Sequence, residues 1–243
     1  MSSITAAQLY HLRTAGITDD LPALSRLIGD STRILEVGCG TGRVLNWLAA
    51  HHPRLERLVG VEMDREKAEL ATSQLAEFSH VAIATSDFLN FETEGGFDVV
   101  LFAFNVVTEF LTGEKRQAAL AKARELIESS GRVVIAVTAP NFEDWAVPEK
   151  VHRRTLRDES LGETEVVITC HRDRIEQVSR CEVEYVASTG ELVKDRYEVA
   201  LLTRRKLLME YAAAQLNLIE EYGSYELTEI TPTSPQIIHV LTR

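Results

Sequence analysis

Arg33 to Trp47 read RILEVGCGTGRVLNW, and this stretch is the most informative part of the sequence. Its opening residues, among them Ile34, Leu35 and Val37, have the length and β-branched character of a buried parallel strand. Three glycines then stand at alternate positions, and apolar residues recur at helical spacing after them. Glycine has no Cβ atom, so a ligand can approach its backbone closely, and the next helix begins with unpaired N–H groups. The stretch therefore predicts a strand, a ligand-binding turn and a helix.

The spacing of the glycines separates two kinds of nucleotide site. A dinucleotide-binding turn reads G-x-G-x-x-G, and its third glycine would stand where this chain has Arg43. The chain instead reads Glu36-x-Gly38-x-Gly40-x-Gly42. This pattern resembles motif I of the class I (seven-strand, Rossmann-like) S-adenosylmethionine-dependent methyltransferases. A glycine turn that only joins a strand to a helix is the alternative.

Composition is that of an ordinary globular protein. The 243 residues suffice for one core, or for one domain with a large insertion. Hydrophobic residues make up 45% of the chain and charged residues 26%. The sequence has no apolar run of about 18 residues, and its first residues lack the basic and apolar segments of a secretion signal. We therefore expect a cytoplasmic protein without a membrane partner.

Charge and cysteine usage narrow the expected chemistry further. The formal net charge of −11 argues against DNA as a partner, because proteins that neutralise phosphates carry clustered Lys and Arg. The three cysteines, Cys39, Cys170 and Cys181, are odd in number and have no metal-ligand spacing. We therefore expect reduced thiols and no bound metal.

Strand and helix patterns alternate strictly up to about residue 140, which predicts a parallel sheet with helices on both faces. From residue 151 to residue 203 several segments alternate between apolar and polar residues, as antiparallel strands do. We therefore predict an α/β fold, a doubly wound, mostly parallel seven-strand sheet with an antiparallel β layer inserted after the fifth strand. The predicted domains are an N-terminal helical segment or lid (1–30), a Rossmann-like cofactor-binding domain (31–140 and 203–243) and an inserted substrate layer (141–202).

Glu62 ends the second predicted strand, 20 residues after Gly42. In a doubly wound sheet this position places a carboxylate beside the crevice above the first strand. There it can accept hydrogen bonds from both hydroxyl groups of a ribose. An ordinary surface glutamate is the alternative.

The resemblance to the methyltransferases implies roles for the motif residues. The acidic residue of the glycine motif and the backbone at Gly38 and Phe104 would face the methionine part of S-adenosylmethionine. Met63 would pack on adenine, and Asp87 with the backbone of Phe88 would recognise its edge, with helix capping as the alternative for Asp87. The residues predicted to bind the cofactor are Glu36, Gly38, Cys39, Gly40, Gly42, Glu62, Met63, Asp87, Phe88 and Phe104.

Methyl transfer from a sulfonium is an in-line displacement whose leaving group belongs to the cofactor. The protein mainly has to position the two reactants, which can be worth about 7–11 kcal/mol. A general base is needed only if the acceptor must lose a proton. The candidate catalytic residues are His171, Glu109 and Tyr197. The candidate substrate contacts are Tyr10, Asn105, Trp145, His152 and Arg172. For each of these side chains alone, a packed or solvated position is the alternative.

These observations favour a methyltransferase that moves a methyl group to an O or N atom of a small molecule, such as a natural-product or sugar intermediate. The expected partner is that acceptor, and we expect a monomer or homodimer. Two alternatives keep the cofactor: a cyclase-like enzyme that transfers no methyl group, and a non-catalytic partner subunit. An oxidoreductase is disfavoured because Arg43 replaces the third glycine.

Overall fold

The computed structural model describes residues 4–158, 162–187 and 190–243. The strands of this part of the chain are β1 (Arg33–Val37), β2 (Arg57–Glu62), β3 (Val81–Thr85), β4 (Phe97–Phe102), β5 (Ile127–Thr138), β6 (Glu149–Asp158), β7 (Gly162–Asp173), β8 (Val178–Ala187), β9 (Leu192–Ala200), β10 (Asn217–Tyr222) and β11 (Gln236–Thr242). Its helices are α1 (Ala6–Ala15), α2 (Leu21–Ile28), α3 (Arg43–His51), α4 (Arg65–Gln74), α5 (Val106–Glu109), α6 (Gly113–Leu126), α7 (Phe142–Ala146) and α8 (Arg204–Ala213). None of these described helices is both long and apolar enough to cross a membrane.

The chain divides into two compact units. The smaller unit combines residues 1–16 with residues 140–201, and the larger unit combines residues 17–139 with residues 202–243. Helix α2, which we group with the N-terminal segment on sequence grounds, lies in the larger unit.

The larger unit holds a seven-strand sheet in the order β3-β2-β1-β4-β5-β11-β10. Strands β1 to β5 run parallel to one another, whereas β11 runs antiparallel to both β5 and β10. The predicted doubly wound, mostly parallel sheet is thereby confirmed. The strand order reverses between β1 and β4, and ligands of such sheets bind beyond the carboxyl ends of the strands at this reversal.

Burial on both faces explains the apolar character of β1. Its residue Ile34 is fully buried and joins Leu27 of α2 and Leu48 of α3 in one core cluster. Each such side chain contributes about 1.5–3 kcal/mol by leaving water. The packing fixes the end of β1, and with it the start of the glycine turn.

The smaller unit holds a four-strand antiparallel sheet in the order β6-β7-β8-β9. This sheet confirms the predicted antiparallel insertion after the fifth strand. Side chains alternate between its two faces. On one face Leu9 of α1 packs with Val166, Val183 and Tyr185 in a buried cluster. We call this the inner face and the opposite one the outer face.

Two of the three cysteines correct the expectation of reduced thiols. Cys170 on β7 stands directly opposite Cys181 on β8, with 4.1 Å between their Cα atoms, and the two form a disulfide. Cys39 is free and buried. The prediction was wrong for the first two because their spacing in the sequence does not reveal that the register of β7 and β8 aligns them.

Candidate functional site

The glycine turn after β1 takes a backbone form that few other residues could adopt. Gly38, Gly40 and Gly42 all have positive φ angles, of 63°, 56° and 84°. A Cβ atom on Gly38 would lie 2.2 Å from Cγ2 of Val106. The alternate glycines therefore bring bare backbone to the carboxyl end of β1 and close to the first residue of α5.

Glu62 fixes this turn from the end of β2. Its Oε2 accepts a hydrogen bond from the N–H of Gly40 at 2.8 Å, and its Oε1 accepts one from the N–H of Asp64 at 2.8 Å. The residue is only 8% exposed. The side chain of Met63, next to it, is 72% exposed, which is unusual for a large apolar group. An ordered carboxylate and an exposed apolar side chain thus lie side by side at the end of β2.

Glu36 is a buried acid with an incomplete set of partners. The side chain is 3% exposed, and its Oε2 has no hydrogen-bond partner within the described chain. Burial raises the pKa of this carboxyl to about 8, although the positive charge of Arg43 and the backbone N–H of Leu45 act in the opposite direction. Near neutral pH Glu36 is therefore largely protonated, and a cationic group placed against Oε2 would ionise it.

Arg43 connects three parts of the larger unit. Its Nη1 and Nη2 each donate to an oxygen of the Asp20 carboxylate at 2.6 Å, and Nη1 also donates to the carbonyl of Ile17 at 2.8 Å. Its Cζ lies 5.0 Å from the centre of the Phe104 ring. The guanidinium thus joins the start of α2, the glycine turn and the segment after β4.

The sequence alone did not reveal this role. There Arg43 served only to show that the third glycine of a dinucleotide-binding turn is absent. The available signal was an arginine directly after the glycine turn together with the aspartate at the start of α2. Asp20 is 1% exposed, so it needs a partner of opposite charge.

The segment after β4 holds a strained backbone. Phe104 and Asn105 have positive φ angles of 49° and 70°, which residues other than glycine rarely adopt. Asn105 is held by Thr138: its Oδ1 accepts from the N–H of Thr138 at 2.6 Å, and its Nδ2 donates to the Thr138 hydroxyl at 3.2 Å. The amide of Asn105, predicted as a substrate contact, is thus engaged in joining the ends of β4 and β5. Such strain persists where the surrounding structure enforces it, often at functional sites.

The remaining motif residues of the larger unit are placed as follows. Oδ1 of Asp87 accepts from the N–H of Leu89 at 2.9 Å, so this aspartate caps a short 3₁₀ turn, as its alternative role requires. The ring of Phe88 is buried edge-on against Phe102, with centroids 5.7 Å apart. Glu109 is exposed at the end of α5. Cys39 is buried in the turn, and burial raises the pKa of its thiol well above the usual value.

The candidate catalytic and substrate residues of the smaller unit lie on different faces of its sheet. Tyr10 and Tyr197 both lie beside Arg13, whose Cζ is 5.2 Å and 5.9 Å from the two ring centres. By strand register His152 and Arg172 share the inner face with Tyr197.

His171 alternates to the outer face, where its Nδ1 is 3.3 Å from Oε2 of Glu149. The sheet therefore separates His171 from Tyr197. Trp145 lies in the short helix α7 and is half-buried.

The comparisons with known proteins agree with this arrangement. A family model described as "Methyltransferase domain" matches residues 34–131, from β1 into β5. Residues 34–131 thus resemble a methyltransferase domain. An uncharacterised methyltransferase of Bacillus mycoides (strain KBAB4) is 33% identical over 108 residues, which cover 43% of this chain and 46% of that protein. The chain thus matches about half the length of its curated relatives.

Two solved structures share the fold over most or all of the chain. The CcbJ methyltransferase from Streptomyces caelestis superposes with a TM-score of 0.79 at 22% identity, covering 93% of this chain and 89% of that one. CalS10 from Micromonospora echinaspora, an amino pentose methyltransferase solved with S-adenosylmethionine bound, gives a TM-score of 0.71 at 21% identity. The alignment covers 100% of this chain and 99% of CalS10.

Proposed function

We propose that the protein transfers a methyl group from S-adenosylmethionine to a nitrogen or oxygen atom of a small molecule. The observation that carries the proposal is the glycine turn with its buried, incompletely partnered Glu36. A ligand here meets bare backbone and a carboxyl group that a positive charge would ionise. S-adenosylmethionine carries such a charge on its sulfonium and on its ammonium group.

The residues around the turn fit the parts of this cofactor. Glu36 and the backbone at Gly38 would hold the methionine part, and the Glu62 carboxylate would accept from the ribose hydroxyls. The exposed side chain of Met63 would cover adenine, and Asp87 would meet its amino group. When bound, the cofactor supplies an activated methyl group together with its leaving group.

The chain itself would hold the reactants in position. The ion pair of Arg43 with Asp20 holds the glycine turn, while Asn105 and Thr138 hold the strained segment beside it. Holding both reactants in line is the larger part of such catalysis, worth about 7–11 kcal/mol. An acceptor that must lose a proton needs a base in addition.

For the base we propose the three side chains selected on sequence grounds. They are Tyr197 on β9, Glu109 at the end of α5 and His171 on β7, whose ring is paired with Glu149.

We further propose an amine as the acceptor, on a sugar or another natural-product intermediate. The support is the likeness of fold to an amino pentose methyltransferase. The other predicted acceptor contacts, Tyr10, Trp145, His152 and Arg172, stay predictions.

Titration calorimetry with S-adenosylmethionine and S-adenosylhomocysteine tests the proposal. We expect micromolar binding by the wild-type protein, weakened at least about 10-fold by Glu62→Gln, which removes acceptors for the turn and the ribose. Glu69→Gln is the matched control, since this exposed glutamate pairs with Arg65 on the surface of α4. Absence of binding by the folded wild type would contradict the proposal.

Release of S-adenosylhomocysteine in the presence of a panel of amines and alcohols then tests catalysis. Binding without release for any acceptor would favour the cyclase-like enzyme or the partner subunit.

A further inference from the structure

Two arginines on the inner face of the smaller unit lie close together without an acidic partner. Nη2 of Arg154 on β6 donates to the backbone carbonyl of Arg13 at 3.0 Å. Within the described residues neither guanidinium has a carboxylate oxygen within 4 Å, although the chain carries 37 acidic residues. On the outer face of the same strand, Arg153 pairs with Glu165 at 3.0 Å and Arg157 pairs with Glu163 at 2.9 Å. Surface pairing is thus the rule on β6, and Arg154 departs from it.

A buried hydroxyl group lies beside these arginines. Tyr185 is 1% exposed, with its ring packed against Leu9, Val166 and Val183. Its Oη makes no hydrogen bond of good geometry within the described chain, and neither does Nε of Arg13, which is also buried, although the Arg13 side chain lies near enough to the hydroxyl to act against the rise of its pKa. Burial raises the pKa of the Tyr185 hydroxyl, so it remains a protonated donor at neutral pH. Buried donors left without an acceptor are uncommon, and a ligand is one way of satisfying them.

Aromatic rings hold the guanidinium of Arg13 in place. Its Cζ lies 5.2 Å from the centre of the Tyr10 ring and 5.9 Å from that of Tyr197. A guanidinium held by ring faces keeps its N–H edge available for a bidentate contact with an oxyanion.

The charges around this place also favour an anion. Burial and the charge of Arg13 lower the pKa of Arg154, the opposite of what an acidic partner does to the exposed Arg204 beside Glu221. Asp195 is the acidic side chain whose charge reaches Tyr185, and its Oδ1 accepts from the backbone N–H of Arg196 at 2.8 Å.

We propose that Arg13, Arg154 and Tyr185 form a binding site for the phosphate group of a small molecule. Two guanidinium groups and a phenol offer several donors to one oxyanion, and a doubly charged phosphate matches two positive charges better than a single carboxylate does. Nothing in the transfer of a methyl group requires such a site. The inference therefore goes beyond the proposed function and stands independently of it.

Calorimetric titration of the full chain with inorganic pyrophosphate, in the absence of S-adenosylmethionine, tests the site. We expect saturable binding that Arg154→Gln weakens about 10-fold or more, because hydrogen bonds between charged groups are lost. Arg153→Gln makes the same change of charge one residue away on the outer face, and should alter binding less than about twofold. A parallel titration with malonate should show weaker binding.

Tyr185→Phe separates a binding role from a purely structural one. The variant keeps the packed ring and removes a buried hydroxyl that makes no hydrogen bond of good geometry within the described chain, so the melting temperature should stay or rise. Pyrophosphate binding should nevertheless fall by about 3-fold or more. If Arg154→Gln does not fold, Arg154→Lys keeps the charge, loses the bidentate fork and should still weaken binding.

Three outcomes would overturn the proposal. The first is no binding of pyrophosphate at tens of millimolar by a folded sample. The second is an equal loss in Arg153→Gln and Arg154→Gln, which would indicate attraction by net charge alone. The third is tighter binding of malonate than of pyrophosphate, which would refute the assignment to phosphate. S-adenosylmethionine binding, measured on the same samples, reports separately on the proposed methyl transfer.

Discussion

The two units differ in the charge of their incompletely paired groups, and in how far apart in the sequence the residues of each group lie. The larger unit buries an acid, Glu36, whose Oε2 has no hydrogen-bond partner within the described chain. The smaller unit presents two cations, Arg13 and Arg154, that have no carboxylate within 4 Å among the described residues. The first feature arises within a few residues of one turn, whereas the second is assembled from a helix and a strand about 140 positions apart.

The difference shows that a site is predictable from the sequence when its residues are close together along the chain. A turn that binds a ligand through its own backbone carries its glycines within a few residues of one another, so a short sequence pattern can reveal it. A site made by strand register depends on which residues stand opposite each other, and no short pattern records that.

The largest effect is expected from breaking the framework of the larger unit at Arg43. Arg43→Gln leaves Asp20 buried without its charge partner, and we expect the free energy of unfolding to fall by about 3–5 kcal/mol. Urea denaturation measures it. Arg54→Gln is the control, because its pair with Asp30 is exposed and should contribute less than about 1 kcal/mol. Equal effects of the two variants would refute the role given to Arg43.

Much of the fold follows from the sequence, for a physical reason. Parallel strands buried on both faces must be apolar runs, and the helices between them must show a helical period, so the seven-strand sheet was predictable. The glycine turn and the place of Glu62 at the end of β2 were predictable because both depend on position relative to a strand end, whereas the contact of Glu62 with a ribose stays a prediction.

Other features depend on contacts across the fold. The ion pair of Arg43 with Asp20 joins residues 23 positions apart, and the disulfide of Cys170 with Cys181 depends on hairpin register. The outer position of His171 follows from the same register. In each case the residue types were visible and their neighbours were not.

In the smaller unit, removal of the disulfide should have the next largest effect. Cys170 and Cys181 close a loop between β7 and β8, and the Cys170→Ala/Cys181→Ala double variant should lose about 3 kcal/mol of unfolding free energy. Thiol titration of the denatured wild type should find one reactive thiol, that of Cys39, and three after reduction. Three thiols before reduction would contradict the disulfide.

Adding a single Cβ atom to the glycine turn should disturb its packing. Gly38→Ala places a Cβ atom 2.2 Å from the Val106 side chain at a positive φ, and should destabilise the larger unit by about 2–3 kcal/mol. Gly16→Ala is the control, because nothing lies within 4 Å of its added Cβ atom and its φ is negative. Denaturation curves that coincide for the two variants would contradict the tight approach of α5 to the turn.

Glu36 should make the stability of the larger unit depend on pH. Its pKa of about 8 in the folded chain exceeds the usual 4.5, so the folded state binds more protons between these values. The stability contribution is therefore complete below pH 4.5 and is lost as the pH rises towards 8, by at most about 1.4 kcal/mol per pH unit.

The difference between the wild type and Glu36→Gln, measured by urea denaturation from pH 5 to pH 8, isolates this contribution. His239 acts in the opposite direction, since burial lowers its pKa to about 4, but it is common to both proteins. A constant difference across this pH range would contradict the burial of Glu36 as an uncharged acid.

The central claim is that the glycine turn receives a cationic methyl donor against Glu36. Calorimetric titration with S-adenosylmethionine at neutral pH, in two buffers of different ionisation enthalpy, tests it most directly. We expect binding with release of up to about one proton by the wild type, because the arriving positive charge ionises Glu36, and no release by Glu36→Gln. Absence of binding, or binding with equal proton release by both proteins, would contradict it.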